Sequence, residues 1–153
     1  MLSSEYDHLM NRVIDDIMVR FPLVARKVMM ATKWKNAPVS SGIQLRLLDG
    51  LIASPMTPSE ISYLHCISRP NVTTLISKLI EGGFAERSHD ENDRRVIYIT
   101  ITEKGKKVVL RHHKLVKKYL LKVFEQFSED EIRDIFTAMD RFQDLLIKMN
   151  KVI

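Results

Sequence analysis

Apolar residues recur with helical spacing along most of the chain, which predicts a mainly helical protein. One such stripe covers residues 5–32. Because the residue before a proline avoids helical geometry, Pro22 makes this segment either one kinked helix or two short helices. After the loop Lys35–Ser41, a helix begins at Ser40 or Ser41 and is apolar nearly all round. We therefore expect that helix to be buried between the first helix and the segments that follow.

A capping box marks the start of the next helix. In Thr57-Pro58-Ser59-Glu60, a threonine stands three residues before a glutamate, and a proline occupies the first helical position. The helix is predicted to run through Ile61, Leu64 and Ile67 and to end just before Ser68.

Ser68 is then predicted to cap a second short helix. Gly82-Gly83 ends it, because glycine takes the left-handed conformation that closes a helix. Two short helices joined by so tight a turn form a helix-turn-helix, in which the second helix is the one that reads DNA. The apolar stripe of this second helix is Val72, Leu75, Ile76 and Leu79.

A β-hairpin follows the two glycines. Its predicted strands are Phe84–Ser88 and Arg95–Ile101, which are rich in aromatic and β-branched residues, and the polar run His89–Arg94 joins them. A new helix is predicted to start at Thr102, with Glu103 in its first turn. A hairpin with arginines at its tip beside a groove-reading helix is the arrangement of a winged helix-turn-helix.

Two long amphipathic helices complete the chain. One is predicted from Thr102 to about Phe127, and a second capping box, Ser128-Glu129-Asp130-Glu131, opens the other. Together with the first helix they carry more apolar surface than a 153-residue monomer covers, so we expect a dimer with the terminal helices as its interface. The predicted fold is mainly α (α+β): an N-terminal dimerisation region 1–34, a winged helix-turn-helix 40–105 and C-terminal dimerisation helices 106–153.

The polar face of the second short helix has the chemistry of a DNA-reading surface. Its small polar and cationic side chains can reach base edges in a major groove. The alternative is an ordinary amphipathic helix with a solvated polar face, followed by an ordinary hairpin. We take the first interpretation because the capping box, the tight turn and the hairpin stand in the order of a winged helix-turn-helix. The candidate DNA-binding residues are Thr57, Ser68, Arg69, Pro70, Asn71, Thr73, Thr74, Ser77, Lys78, Arg87, Asp93, Arg94 and Arg95.

The stretch Thr57–Gly105 resembles the MarR family of bacterial and archaeal transcriptional regulators. The family's wing pattern Asp-x-Arg is matched by Asp93 and Arg95, and its hydrophobic-Thr-x-x-Gly by Ile101-Thr102-Glu103-Lys104-Gly105. The flanking segments agree only in helical pattern and length. The resemblance implies a homodimer, and family members often bind phenolic or salicylate-like anions between the reading and dimer regions.

Charge is distributed unevenly along the chain, whose net charge is +5. Residues 69–122 hold 13 lysines and arginines against 6 acidic residues, whereas residues 123–153 hold 4 against 7. The positive charge therefore lies on the proposed reading helix, the wing and the following helix, as expected for a polyanion partner. The alternative is that the lysines of residues 106–118 only keep a helix solvated.

The sequence offers little for catalysis, metal binding or redox sensing. It contains no glycine-rich phosphate loop, no H-E-x-x-H and no G-x-S-x-G, so we predict no enzyme. His112 and His113 are adjacent and point about 100° apart on a helix, which disfavours a shared ion. Cys66 is expected to be a core or half-buried structural residue near a helix C-terminus, where the dipole disfavours a thiolate. Peroxide-sensing members of the family carry their cysteine near the N-terminus, where this chain has none.

These observations predict a sequence-specific DNA-binding transcriptional regulator. We expect a homodimeric, ligand-responsive repressor on a pseudo-palindromic operator of double-stranded DNA, with a small phenolic or anionic effector of unknown site and no cofactor. The alternative is a non-enzymatic winged-helix module that coats DNA or binds protein without reading sequence. No apolar stretch approaches the length of a membrane span, and the single cysteine fits a reducing cytoplasm.

Overall fold

The computed structural model describes residues 4–32, 34, 37–39, 42–90 and 93–149. It is mainly helical with one two-stranded antiparallel sheet, as predicted. The predicted helix start at Ser40 or Ser41 lies outside the described residues. In chain order the elements are α1 (Ser4–Asp15), a π-helical segment (Asp16–Arg20), α2 (Phe21–Ala31), α3 (Gly42–Ala53), α4 (Pro58–Leu64), α5 (Arg69–Glu81), β1 (Ala85–His89), β2 (Ile97–Ile101), α6 (Glu103–Phe124) and α7 (Glu129–Met149).

Contacts divide the chain into two compact units, residues 33–115 and residues 1–32 with 116–153. The first is called here the winged unit and the second the terminal unit. The predicted boundaries of three regions at 1–34, 40–105 and 106–153 stay predictions. Among the described residues, every helix is too short or too polar to cross a lipid bilayer.

Pro22 changes the helical geometry without ending the helix. The segment before it is π-helical, and the N–H of Phe21 donates to the carbonyl of Asp16, five residues back. A proline has no N–H and its ring clashes with the carbonyl four residues earlier, here that of Met18. A wider turn is a known way to take up such a conflict. The outcome therefore lies between the two predicted alternatives: α1 and α2 run on through a π-helical turn.

The winged unit has one hydrophobic core shared by all its elements. Leu47, Leu48 and Leu51 of α3 pack with Ile61 of α4, and all are almost fully buried. The stripe of α5 is buried as predicted at Val72, Ile76 and Leu79, with Leu75 partly buried. Helix α3 was expected to be buried on nearly all sides, and this is wrong at Ile52, which is 42% exposed. Leu64 of α4 is 57% exposed. The remaining buried apolar residues are Val39, Phe84, Ala85, Ile99, Ile101, Val108 and Val109.

Helix α4 begins as predicted but ends earlier. Glu60 and Thr57 form the reciprocal capping box, with the Thr57 N–H donating to Glu60 Oε2 at 2.7 Å and the Glu60 N–H to Thr57 Oγ1 at 3.2 Å. The helix stops at Leu64 rather than just before Ser68. Cys66 then takes a left-handed conformation, φ 51°, and Ile67 N–H donates to Ser62 O at 3.1 Å. This is a Schellman closure with cysteine in the place usually held by glycine.

The same closure ends α5, this time with the predicted glycine. Gly83 has φ 70°, its N–H donates to Ile80 O at 2.8 Å, and Phe84 N–H donates to Leu79 O at 2.8 Å. The start of α5 differs from prediction, because Ser68 occupies the capping position but its side chain makes no capping bond. Proline at the second helical position, Pro70, has no N–H to offer that hydroxyl.

The hairpin pairs β1 with β2 from Ala85 opposite Ile101 to His89 opposite Ile97. The predicted strands Phe84–Ser88 and Arg95–Ile101 are therefore displaced by one and two residues at their starts. Met56, before α4, adds a bridge that the sequence did not indicate: its N–H donates to Ile99 O at 3.1 Å, and Ile99 N–H to Met56 O at 2.8 Å.

The terminal unit contains α1, α2, α7 and the second half of α6. Its capping box at Ser128 and Glu131 is formed as predicted, and α6 ends at Phe124 rather than Phe127. Phe21 and Phe142 stack with ring centroids 5.4 Å apart. None of the described residues of α1, α2 or α7 is buried, although the three helices carry rows of large apolar side chains.

Candidate nucleic-acid interface

The polar side of α5 is exposed except at Ser77. Arg69, Asn71 and Lys78 are exposed, as are Ser68 and Pro70. The opposite side of the helix is fixed in the core, so these side chains sit on a rigid support. A helix anchored in this way can present its donors to the edges of bases.

Three hydroxyl residues on α5 complete the predicted reading face. Thr73 Oγ1 donates to Arg69 O at 3.1 Å, and Thr74 Oγ1 donates to Pro70 O at 3.2 Å. Each threonine hydroxyl is thus turned toward its own helix, which leaves an oxygen lone pair and a methyl group for an outside contact. Ser77 is half-buried further along the helix.

Two other candidates occupy different places in the winged unit. Thr57 is half-buried and its N–H and hydroxyl both donate to Glu60 Oε2, at 2.7 and 2.9 Å. These bonds lower the pKa of the Glu60 carboxyl below its ordinary value, the backbone N–H being the larger cause. Arg87 is exposed on β1, opposite Ile99.

The arginines at the wing tip lie in a turn and not on a strand. Val96 N–H donates to Asp93 O at 2.9 Å, so Asp93–Val96 is a four-residue turn with Arg94 and Arg95 at its centre. Both arginines and Asp93 are exposed. The sequence analysis placed Arg95 at the start of the second strand, which would turn Arg94 and Arg95 to opposite faces of the hairpin. This placement is wrong, since the strand begins only at Ile97.

Asp93 holds the turn through the backbone. Its Oδ1 accepts the Arg95 N–H at 2.9 Å, and its own N–H donates to Asp90 Oδ1 at 3.0 Å. Two residues apart on one side of a strand, Asp93 and the Arg95 guanidinium would be expected to form a side-chain ion pair. That expectation is wrong, because the ion pairs of the described residues include none between them. The reason is local: an aspartate at the first position of a turn reaches the N–H two residues on more easily than a side chain that leaves the turn.

The start of α6 is joined to the end of α5. Thr102 Oγ1 donates to Gly83 O at 2.8 Å, and Lys104 Nζ donates to Gly82 O at 2.7 Å. The Lys104 ammonium also lies 4.7 Å from the centre of the Phe84 ring. A cation at the C-terminal carbonyls of a helix is favourable for its dipole. The hydrophobic-Thr-x-x-Gly segment thus helps to close the reading helix.

A cleft of 610 Å³ lies beside this junction, within the winged unit. Its apolar walls include Trp34 and Phe84, and the Arg111 guanidinium lies 4.6 Å from the centre of the Trp34 ring. No carboxylate lines it among the described residues, so its charge is entirely positive. The full lining is Trp34, Pro38, Phe84, Lys104, Lys107, Val108 and Arg111.

The cysteine and the histidines are spread over several surfaces. Cys66 is exposed, so the expectation of a core or half-buried residue is wrong; the left-handed closure of α4 turns it outward. His113 Nε2 lies 2.9 Å from Asp49 Oδ1. The pKa of His112 is lowered mainly by burial and to a smaller extent by the charge of His113. Within the described part of the chain, no three metal-ligating side chains converge.

Sequence reasoning missed two groups of residues that shape this surface. His89 and Asp90 bond to the wing turn, and Lys104 closes the reading helix. Aspartates before a turn are a recognisable signal for Asp90. Nothing in the local pattern singles out His89 or Lys104, because their partners are backbone carbonyls fixed only by the fold.

Comparison with known proteins gives one consistent result. Residues 50–97 match the MarR family model. The chain is 33% identical over 66 residues to the HTH-type transcriptional regulator BilQ of Clostridium symbiosum, a match covering 43% of this chain and 46% of that relative. It is 25% identical over 100 residues to the homoprotocatechuate degradative operon repressor of Escherichia coli, covering 65% and 68%.

The fold is shared with solved structures over nearly the whole chain. A MarR family protein from Bacillus stearothermophilus superposes with a TM-score of 0.71 at 19% identity, covering 96% of this chain and 99% of that one. The names of these curated relatives describe regulators of transcription. The matched family segment contains α4, α5 and most of the wing, so the similarity to the MarR family rests on the winged helix-turn-helix.

Proposed function

We propose that this protein is a sequence-specific DNA-binding regulator of transcription that acts as a homodimeric repressor in the cytoplasm. The observation that carries the proposal is the exposed polar face of α5, held on the same unit as a wing with two arginines at its tip. The helix supplies side chains for the major groove, and the turn supplies two guanidinium groups for the adjacent phosphates or minor groove.

The homodimer is supported by the surface of the terminal unit. Apolar side chains such as Met18, Val24 and Phe136 are more than half exposed in the single chain. A monomer seldom leaves so many large apolar residues uncovered, and a second copy of the same helices would bury them. In such a dimer the two reading helices would meet half-sites about one helical turn apart, roughly 10 bp centre to centre.

Selection of genomic DNA fragments on the purified protein tests the proposal. We expect enrichment of pseudo-palindromic sequences whose binding resists competition by bulk DNA. Sedimentation at micromolar concentration should show a dimer of the 17.8 kDa chain. Binding without enrichment would favour the alternative of an architectural module, and a folded monomer would contradict the two-fold operator.

For the effector we propose a small aromatic anion in the cleft beside Trp34 and Phe84. The aromatic walls would hold a ring, and Lys104, Lys107 and Arg111 would meet its carboxylate or phenolate. Because Lys104 also donates to Gly82 O, an anion that draws this ammonium away would remove one bond from the end of the reading helix. Occupancy of the cleft would thereby lower DNA affinity.

Titration of salicylate, as a simple aromatic anion, into the protein–DNA complex tests this site. We expect release of DNA from the wild-type protein, and a much weaker response in Arg111→Ala, since the guanidinium over the Trp34 ring is lost. Arg46→Ala is the matched control, because it removes an exposed arginine of the same unit that neither lines the cleft nor belongs to the candidate DNA-binding residues. An equal response of Arg111→Ala and wild type would move the effector to another site.

A further inference from the structure

The peptide bond between Arg94 and Arg95 is held at both of its polar ends. On one side, Asp93 Oδ1 accepts the Arg95 N–H at 2.9 Å. On the other, His89 Nδ1 lies 2.9 Å from the Arg94 carbonyl oxygen. A carbonyl can only accept, so Nδ1 carries the proton and the imidazole donates. The peptide that joins the two wing arginines is thus fixed by two side chains of the same hairpin.

The Arg94–Arg95 peptide is the central peptide of the turn, and a four-residue turn can hold its central peptide in either of two orientations. Turns of types I and II differ by a rotation of the central peptide, and type II needs a positive φ at the third residue. That residue is Arg95, and its φ is not positive, because Cys66 is the one described non-glycine residue with a positive φ. Rotation of the peptide would remove the acceptor from His89 and the donor from Asp93 together.

The orientation of this peptide also decides where the two arginines point. It sets ψ of Arg94 and φ of Arg95, and thereby the direction in which each Cα–Cβ bond leaves the turn. Both side chains are long and exposed, so the backbone is the part of each residue that the free protein can order in advance. Ordering before binding lowers the entropy that binding must remove.

We infer that His89 is a positioning residue that holds the Arg94–Arg95 peptide in one orientation and so aims both arginines at DNA. The inference rests on the proposed function and adds a residue outside the predicted interface. His89 acts through the turn: its bond goes to the backbone of Arg94, at the end of β1 where the last strand pair is His89 with Ile97.

A double-mutant cycle separates this role from a direct contact with DNA. The probe is the duplex recovered by genomic selection on the wild-type protein, and the readout is fluorescence anisotropy. We expect His89→Ala to weaken binding by about 2–10-fold, the range for ordering one or two side chains. In an Arg94→Ala/Arg95→Ala background the same change should alter binding by less than about 2-fold, since the groups that His89 positions are absent.

The conservative variants give an independent readout. An asparagine places its amide nitrogen three bonds from Cα, as a histidine places Nδ1, whereas a glutamine places its nitrogen one bond farther. His89→Asn should therefore restore most of the lost affinity and His89→Gln should not. Thermal unfolding should be nearly the same for all three variants, because His89 is exposed at the end of the hairpin.

The outcomes distinguish the inference from the proposed function. If the wild-type protein selects no sequence over bulk DNA, the proposed function fails. If it selects an operator but His89→Ala binds normally, or loses the same factor in both backgrounds, the positioning role is wrong. Rescue by glutamine as well as by asparagine would equally overturn it, since the Nδ1 geometry would then not matter.

Discussion

Gly105 marks the closest approach between α6 and the start of the wing, and replacing it by alanine is a direct test of that packing. A Cβ at this position would lie 2.1 Å from the Phe84 carbonyl oxygen and 2.7 Å from Ile101 Cγ1. The carbonyl cannot move freely, because it accepts the Thr102 N–H at 3.0 Å. Phe84 is itself a core residue, with 6% of its surface exposed. The alanine therefore forces backbone to separate from backbone.

These contacts set the expected loss in the free energy of unfolding. Overpacking of a core costs about 1–3 kcal/mol, and a weakened hydrogen bond from Thr102 adds about 0.5–1.5 kcal/mol. Alanine returns roughly 0.5–1 kcal/mol because it is the better helix former. Because the nearest atom is backbone rather than a flexible side chain, we expect Gly105→Ala to destabilise the winged unit by about 2–3 kcal/mol.

Urea unfolding followed by tryptophan fluorescence measures this effect, since the chain has a single tryptophan and Trp34 packs against the core of the winged unit. Gly50→Ala in α3 is the matched control. Its Cβ would meet no atom closer than 3.5 Å, so it should gain roughly 0.5–1 kcal/mol from helix propensity. Equal stability of the two variants would refute the proposed close contact at Gly105.

Five further outcomes are expected. Binding to DNA should weaken steeply with salt, with a log–log slope of about −0.9 per phosphate contact. Asp93→Asn should keep operator affinity, since an amide oxygen can still accept the Arg95 N–H, whereas Asp93→Ala should weaken operator binding. Arg95→Ala should cost about 1–3 kcal/mol of binding free energy. Cys66→Gly should stabilise the protein by up to about 1 kcal/mol, because glycine adopts a positive φ without strain. Glu60 has a lowered pKa in the folded state, so its stabilising effect is present above its ordinary pKa of 4.5 and lost as the pH falls through the lowered value; Glu60→Gln should flatten this acid dependence.

Each of these outcomes has a result that would contradict it. A flat salt response would mean that the basic residues of 69–122 form only a solvated surface. Tighter binding by Asp93→Ala than by the wild-type protein would mean that the charge of Asp93 matters and its bond to the Arg95 N–H does not. A loss of stability in Cys66→Gly would show that the thiol makes contacts that outweigh the backbone strain. If Glu60→Gln and the wild type unfold identically at low pH, the capping box is not the source of the acid dependence of stability.

The helices and the hairpin could be predicted because their signals are local. The capping boxes at Thr57 and Ser128 are formed, and Gly83 ends α5 with the left-handed geometry that two consecutive glycines indicate. The early end of α4 could not be predicted in the same way. Cysteine carries no local preference for a left-handed conformation, and Cys66 adopts it because the chain must turn into α5 within a few residues.

The candidate interface also has one part that local sequence signals predict and one part that they do not. The exposed face of α5 follows from helical periodicity once its apolar stripe is known, and the structure places the predicted face away from the core. The wing tip follows from bonds between residues three to six apart: His89 to Arg94, Asp90 to Asp93, and Asp90 N–H to Val96 O at 3.1 Å. Such bonds depend on how the loop folds back and not on any repeat in the sequence. A strand predicted two residues too long was therefore enough to put Arg95 on a strand and to pair its guanidinium, rather than its N–H, with the Asp93 carboxylate. Because the Asp93 carboxylate is engaged by backbone, no ion pair with it restricts the arginine side chains. Their freedom is limited by the turn that carries them. Substitutions that alter the turn should then affect DNA recognition even where both arginines are kept.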